Sequence, residues 1–358
     1  MPAPVQVRQP FSRERDQNSE QKAGICMKRT MRDRFDSVFS HVGPRLLIRG
    51  GFLTYFIYLC TRLLAFRSWA LGHGQYVKRP EAVAGILPVG SYMSFFLWLK
   101  AGIFDTVLPA GIIIIIAALV LSLFFKRGFC GWICPVGTVW EGAAWFGRKV
   151  LHRDNYRPPR WMDITFRTLR YVLAALVMFW FAAVSVQEAV GFQKMPYYAT
   201  VDAKMILLFI TPLYLAVIAA AFIGIMLFGN VWCRYLCPLG GVYGACGTLS
   251  PLTVVRDPDV CISCGKCATA CHAAIQVDTL VSIHHAECDG CQDCVRACPV
   301  DGALQPRLLG RFAFPWWVWP LAVVGVWILI YVVALLTGHW HTQLPVETFR
   351  TYLSMPGL

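Results

Sequence analysis

A membrane-embedded, all-α fold of about five transmembrane helices, interrupted by one small soluble α+β domain, is what the sequence predicts. Three observations predict it. Hydrophobic residues make up 57% of the 358 positions and charged residues only 15%, more apolar surface than a water-soluble core of this length buries. Apolar runs of spanning length recur along the chain. Between the last two of them, residues 256–311 turn polar and slightly acidic and hold eight of the fifteen cysteines.

A bilayer core takes roughly 20 helical residues. Five segments meet that requirement, at about 46–66, 107–125, 169–186, 206–228 and 316–336. A sixth apolar stretch, ILPVGSYMSFFLWL at 86–99, is only fourteen residues long and carries Pro88 and Gly90, so it reads as an interfacial or re-entrant piece.

Basic residues set the orientation. The segment before the first span carries Arg8, Arg13, Arg15, Lys22, Lys28, Arg29, Arg32, Arg34 and Arg45. The connection between the second and third spans runs from Lys126 and Arg127 to Arg167 and Arg170 with further basic residues between them, whereas the next loop has only Lys194 and Lys204. Five spans then divide the chain into a basic cytoplasmic segment (1–45), a four-span membrane domain (46–255), a cytoplasmic insert (256–311) and a fifth span with a short outer tail (312–358). The polar N-terminus shows no apolar run with a cleavage site, so no secretory signal is expected. A multi-pass protein of a bacterial inner membrane follows.

The net charge of +13 is accounted for by this topology and by attraction to anionic headgroups. Membrane lipid is the expected partner, and nucleic acid is not. Trp316, Trp317 and Trp319 open the fifth span and Trp340 follows it, as interfacial belt residues do.

The membrane part repeats itself. CGWICPVG at 130–137 matches CRYLCPLG at 233–240, with Val139 against Val242 and Trp140 against Tyr243, an offset of 103 residues. Each unit is a pair of apolar segments ending in C-x3-C-P. That spacing puts two thiols one helical turn apart, and the proline ends or restarts the helix. Three readings of Cys130, Cys134, Cys233 and Cys237 stand open: ligands of one shared metal centre, dithiol/disulfide couples, or reduced cysteines that only pack. Cys26, Cys60 and Cys246 read as ordinary thiols, Cys246 lying close to the second motif.

In the insert, CISCGKCATACH and CDGCQDCVRACP both follow C-x2-C-x2-C-x3-C, the spacing of bacterial ferredoxins with two [4Fe–4S] clusters. In that scheme the fourth thiol of each run reaches the other cluster. Cys261, Cys264, Cys267 and Cys298 form one ligand set, and Cys288, Cys291, Cys294 and Cys271 the other. Gly265 and Gly290 ease the turns. Zinc ribbons, with two C-x2-C pairs and a longer insert, fit this spacing poorly. His272 stands where the second run has Pro299, either donating to a cluster sulfur or lying on the surface.

These motifs together, over roughly residues 45–310, resemble the NapH/NosR-like membrane polyferredoxins, and the extra fifth span is similar to the YccM-type members. The sequence departs from the family's larger members, which carry a periplasmic flavin-binding domain. The resemblance implies an electron-transfer component, quinol dehydrogenase-like, that relays electrons between the quinone pool or another membrane donor and a partner oxidoreductase or other carrier. The alternatives are a redox or assembly factor that reduces a metal or disulfide in a client oxidoreductase, and a redox-sensing regulator. Arg62, Glu188, Tyr197 and Asp202 are candidates for a quinone pocket; Glu188, Tyr197 and Asp202 otherwise belong to an ordered loop, and Arg62 snorkels. His339 and His341 are candidates for a haem or quinone pocket, with interfacial anchoring as their ordinary role.

Overall fold

The computed structural model describes residues 43–86, 88–151, 159–229 and 231–355. Cys26 and the basic residues Arg8 to Arg34 lie outside the described residues.

Proline starts most of the membrane helices. Pro44 opens α1 (Pro44–Ala70), Pro88 α2 (Pro88–Ala101) and Pro109 α3 (Pro109–Phe124). A short α4 (Gly128–Trp132) is followed by α5 (Pro135–Leu151), again begun by proline. Then come α6 (Arg160–Ala183), α7 (Val186–Gln193), α8 (Pro196–Ile210) and α9 (Pro212–Phe228). A π-helical turn (Trp232–Leu236) leads into α10 (Pro238–Thr248). At a first turn the ring's fixed φ suits the helix and the missing N–H has no helical partner to lose. Pro88 therefore opens a helix rather than breaking one, and Ser91, Tyr92, Met93 and Ser94 are buried in succession within the bundle.

Among the described residues three helices are long and apolar enough to cross a membrane, or four if one bent pair is counted as a single span: Arg45–Ala70, Trp161–Ala183 and Val318–Leu336, the last being α13. The stretch read as one span at 206–228 is two helices, Pro196–Leu207 and Pro212–Phe228 meeting at 67°. Thr211, extended at ψ 146°, makes the break, because the ring of Pro212 disfavours helical geometry in the residue before it. The stretch at 107–125 yields α3, 16 residues and so about 24 Å long. Ile112, Ile115, Ala117, Ala118 and Leu121 bury it among other helices, as expected for a helix apolar all round.

The two repeats interlock. α1 packs on α5 as α6 packs on α10, each within its own repeat. The central helices cross over: α3 packs on α10, and α9 packs on α5. Gly147 on α5 lies so close to the Met226 backbone of α9 that a Cβ there would collide with it, the small-residue approach usual between membrane helices.

The insert closes on itself through a three-stranded antiparallel sheet. β1 (Leu252–Arg256) pairs with β2 (Leu304–Leu308), which turns into β3 (Phe312–Ala313). α11 (Lys266–Ala270) and α12 (Asp293–Arg296) lie between the first two strands, over a core of Val254, Ile275, Val277, Ile283 and Leu304. After α13, α14 (Val346–Ser354) folds back and seats Phe349 against Leu63 and Phe66 of α1.

Candidate functional site

Each C-x3-C-P motif is built as a broken helix. Cys130 lies in α4, whose last turn closes when Ile133 N and Cys134 N both donate to Phe129 O at 2.9 Å. Cys134 then immediately precedes Pro135. In the second motif the turn is π-helical, and Cys237 caps α10 by accepting Gly240 N at Sγ, 3.4 Å. The two thiols of a pair thus share no continuous α-helical face, because proline fixes the restart directly after the second cysteine. The motif's glycine has a structural reason. A Cβ on Gly137 would stand 3.2 Å from Cys130 O, and one on Gly240 3.3 Å from Cys233 O.

The crossed packing brings the four thiols together. Burial pushes the Cys130 thiol up to about 12; Arg127 opposes, and the neighbouring Cys134 and Cys237 add to the rise. Burial also raises Cys134 and Cys233, and Cys233 feels the other three thiols. Cys60 and Cys246 are partly buried outside this quartet.

In the insert, thiols of the two runs lie near one another. Cys261, Cys264, Cys267 and Cys298 line one cavity with Ile262, Pro299 and Val300. Cys294 interacts electrostatically with Cys288 and Cys271, and Cys291 with Cys294. Both loops turn alike: Ser263 and Gly290 are left-handed at φ 55° and 66°, and Gly265 and Gln292 at 69° and 63°. Left-handed residues recurring in such turns aim backbone N–H groups into an anion-binding concavity, and with four thiolates this suits a [4Fe–4S] cluster. Gly265 and Gly290 were legible as turn residues; their left-handed counterparts Gln292 and Ser263 were not.

The two sets differ in surroundings. Cys264 is exposed, and hydrogen bonds from Ser263 N and Arg256 outweigh burial to leave Cys261 below its ordinary range. Cys288 is enclosed, and burial pushes it up to about 12. Its loop lies directly on the first C-x3-C-P motif. Arg127 N donates to Cys288 O at 3.3 Å and Trp132 Nε1 to Gly290 O at 3.2 Å. His272 is not a surface residue. Its Nε2 meets Asp289 at 2.9 Å, its Nδ1 stands 3.8 Å from Cys291 Sγ, and Asp289 and Glu141 outweigh burial to lift the imidazole above its ordinary value.

Arginines counted as orientation signals prove to clamp the insert. Arg45 on α1 grips both oxygens of Glu141 at 2.8 and 2.9 Å, reaches Asp293 at 2.5 Å and Asp289 at 3.5 Å, and donates to Gly131 O. On the other repeat Arg170 donates to Cys233 O at 2.9 Å and shares Glu287 with Arg127. Arg234 holds Asp163 at 2.8 and 3.0 Å and donates to Ala273 O. Asp289, Asp293 and Glu287 lie beside the cysteines in the sequence, but nothing local pairs them with Arg45, Arg127 and Arg170, more than a hundred residues away.

Glu141 makes the clamp sensitive to acid. Burial alone would raise its pKa, but Arg45, His272 and Arg49 hold it at about 2, against an ordinary 4.5. The folded form then binds this proton less readily than the unfolded chain, so the stabilisation is complete above 4.5 and lost as pH falls towards 2. Thermal melts across that window should show the decline, and Glu141→Gln should flatten it.

At the opposite end of α3 the buried acids are partnered. Asp105 is buried with Ser94, Tyr198 and two backbone N–H groups, and Asp202 is buried against Arg79. Glu188 is exposed and completes the N-terminal capping box of α7, and Tyr197 is exposed. Arg62 is partly buried. His339 packs edge-on against Phe104, and His341 lies 3.9 Å from Glu81. Neither histidine meets a second histidine among the contacts described.

Comparison with known proteins agrees with this division. A family described as a 4Fe-4S binding domain matches residues 107–153 and 210–249, one segment around each C-x3-C-P motif, and a 4Fe-4S dicluster domain matches 253–299. YccM of Escherichia coli, by name a proposed electron transport protein, is 33% identical over 77% of this chain and 79% of its own length. The methylamine utilization ferredoxin-type protein MauN of Methylorubrum extorquens is 28% identical over 53% of this chain and 62% of its own. The ferredoxin-type protein NapH of Haemophilus influenzae is 27% identical over 57% and 59%. No solved structure matches. With cysteines spaced and grouped as iron–sulfur ligands and a relative of this likeness along most of its length, the chain belongs to the NapH-like family of ferredoxin-type polyferredoxins.

Proposed function

We propose that this protein is a membrane relay that carries electrons from quinol, or another donor in the bilayer, to a partner oxidoreductase or soluble carrier on the cytoplasmic side of a bacterial inner membrane. In this reading Cys261, Cys264, Cys267 and Cys298 hold one [4Fe–4S] cluster and Cys288, Cys291, Cys294 and Cys271 a second. Bound there, such clusters supply one-electron carriers whose potentials depend on hydrogen bonding and exposure.

One observation carries the order of transfer: the loop of Cys288 and Cys291 is pressed onto the first C-x3-C-P motif, while Cys264 is exposed. In this reading electrons pass from the membrane quartet through the enclosed set to the exposed set, where a partner has access. Relatives named for methylamine utilization and the ferredoxin-type NapH proteins are consistent with a client oxidoreductase beyond that exit.

The quartet is best read as a shared metal centre. Buried thiols raised as Cys130 is, up to about 12, ionise only beside a compensating cation, and a metal provides one. Dithiol exchange needs a ready thiolate and is disfavoured by the same burial. The test is metal content of the full-length protein. A Cys130/Cys134/Cys233/Cys237→Ser variant should lose about a third of the iron and sulfide, one four-cysteine set of three. Equal contents in variant and wild type would exclude the shared cluster. Reduction of the wild-type protein by quinol, followed by EPR, tests the donor.

A further inference from the structure

Two buried donors around the enclosed cysteine set have nothing to bond to among the described residues. Lys126 follows α3 with a left-handed backbone (φ 60°), held by a hydrogen bond from its N–H to Ser250 Oγ at 3.2 Å. Its side chain is fully buried, its Nζ has no hydrogen-bond partner, and it interacts electrostatically with Cys288. Trp319, in the first turn of α13, is 1% exposed, and its Nε1 is likewise unpartnered. The indole lies flat against the ligand loop, so that a Cβ on Gly290 would meet Cζ2, Cε2 and Nε1 at 2.7–2.8 Å. Trp132, touching the same loop, spends its N–H on Gly290 O. The contrast is informative, because a buried N–H is seldom left without an acceptor.

Both donors converge on the segment between Cys288 and Cys291, and in a protein that binds iron there the acceptor at hand is sulfur. We propose that Lys126 and Trp319 donate hydrogen bonds to the sulfurs of the cluster held by Cys288, Cys291, Cys294 and Cys271, and raise its reduction potential. The inference rests on the ligand assignment made above. One-electron reduction adds a negative charge and no proton, burial opposes that charge, and a buried ammonium and an aimed N–H favour it. Neither donor belongs to the cysteine insert. One comes from the end of a central helix and the other from the last membrane helix, so the membrane part would set the potential of the cluster resting on it.

The experiment is an EPR-monitored redox titration of the full-length protein in detergent, with iron and sulfide assayed on each sample. Trp319→Phe and Lys126→Gln should keep wild-type iron and sulfide, and each should move one reduction step downward while the other stays. The expected shift is at least a tenfold change in the reduced-to-oxidised ratio at fixed poise, about 59 mV for one electron. Lys126→Arg, which keeps charge and donors, should restore most of it. Full iron with both steps unmoved in both variants overturns the inference. So does loss of iron in both, since donors that only tune a potential are not needed to hold the metal. The ligand assignment fails separately, if Cys291→Ser/Cys294→Ser retains the wild-type iron content.

Discussion

Glu287→Gln should destabilise the protein by about 3–5 kcal/mol, the usual cost of removing one partner from a buried ion pair. Glu287 is buried and shared by two guanidinium groups, Arg127 at the end of α3 and Arg170 on α6. Burial would raise its pKa, and these two arginines outweigh burial and hold it down, so it stays ionised between them. The amide keeps the shape and loses the charge, leaving two buried cations facing each other with no anion. Thermal unfolding of the full-length protein in detergent measures the loss. Arg170→Met paired with Glu287→Gln should recover part of it, because the double change removes a cation along with the anion. A single-variant loss below about 1 kcal/mol would mean that the pair behaves as an exposed one.

Gly131→Val is the second large effect, on the order of 2–4 kcal/mol from overpacking and the hydrogen bonds broken with it. A Cβ at Gly131 would stand 2.5 Å from Asp289 O and 3.3 Å from the Asp289 Cβ and Cγ. The obstacle is backbone, and that backbone is held on either side by Arg127 N to Cys288 O and Trp132 Nε1 to Gly290 O. The loop has no room to retreat without breaking one of them. Gly142→Ala is the matched control: nothing lies within 4 Å of a Cβ there, and alanine in a helix should be neutral or slightly stabilising. If both variants melt together, the insert is not fixed on the first motif.

These residues also show what a sequence discloses and what it hides. Spacing of two and three residues between cysteines is a local signal, so the iron–sulfur character of the insert was legible, as was the repetition of C-x3-C-P at 130 and 233. The apolar run at 206–228 was legible as well, but the 67° bend between Pro196–Leu207 and Pro212–Phe228 was not read from it. The role of Arg45, Arg127 and Arg170 was hidden for another reason. Their acids stand 248, 160 and 117 residues further on, and a basic flank that orients a helix reads the same as one that grips a neighbouring segment. Lys126 and Trp319 carried no signal at all. Each was counted with the charges or the belt aromatics, and only their placement beside one loop separates them from those groups.

The crossed packing of α3 on α10 and α9 on α5 has a consequence for biogenesis. The packing of α3 on α10 and of α9 on α5 exists only when both units are present. The grouping of Cys130, Cys134, Cys233 and Cys237 comes into being only after the chain has been made through Thr248 and the second unit has packed against the first. Pairings across such a sequence separation are slow to form. That grouping of thiols therefore belongs to a chain in which both units have been translated and packed together.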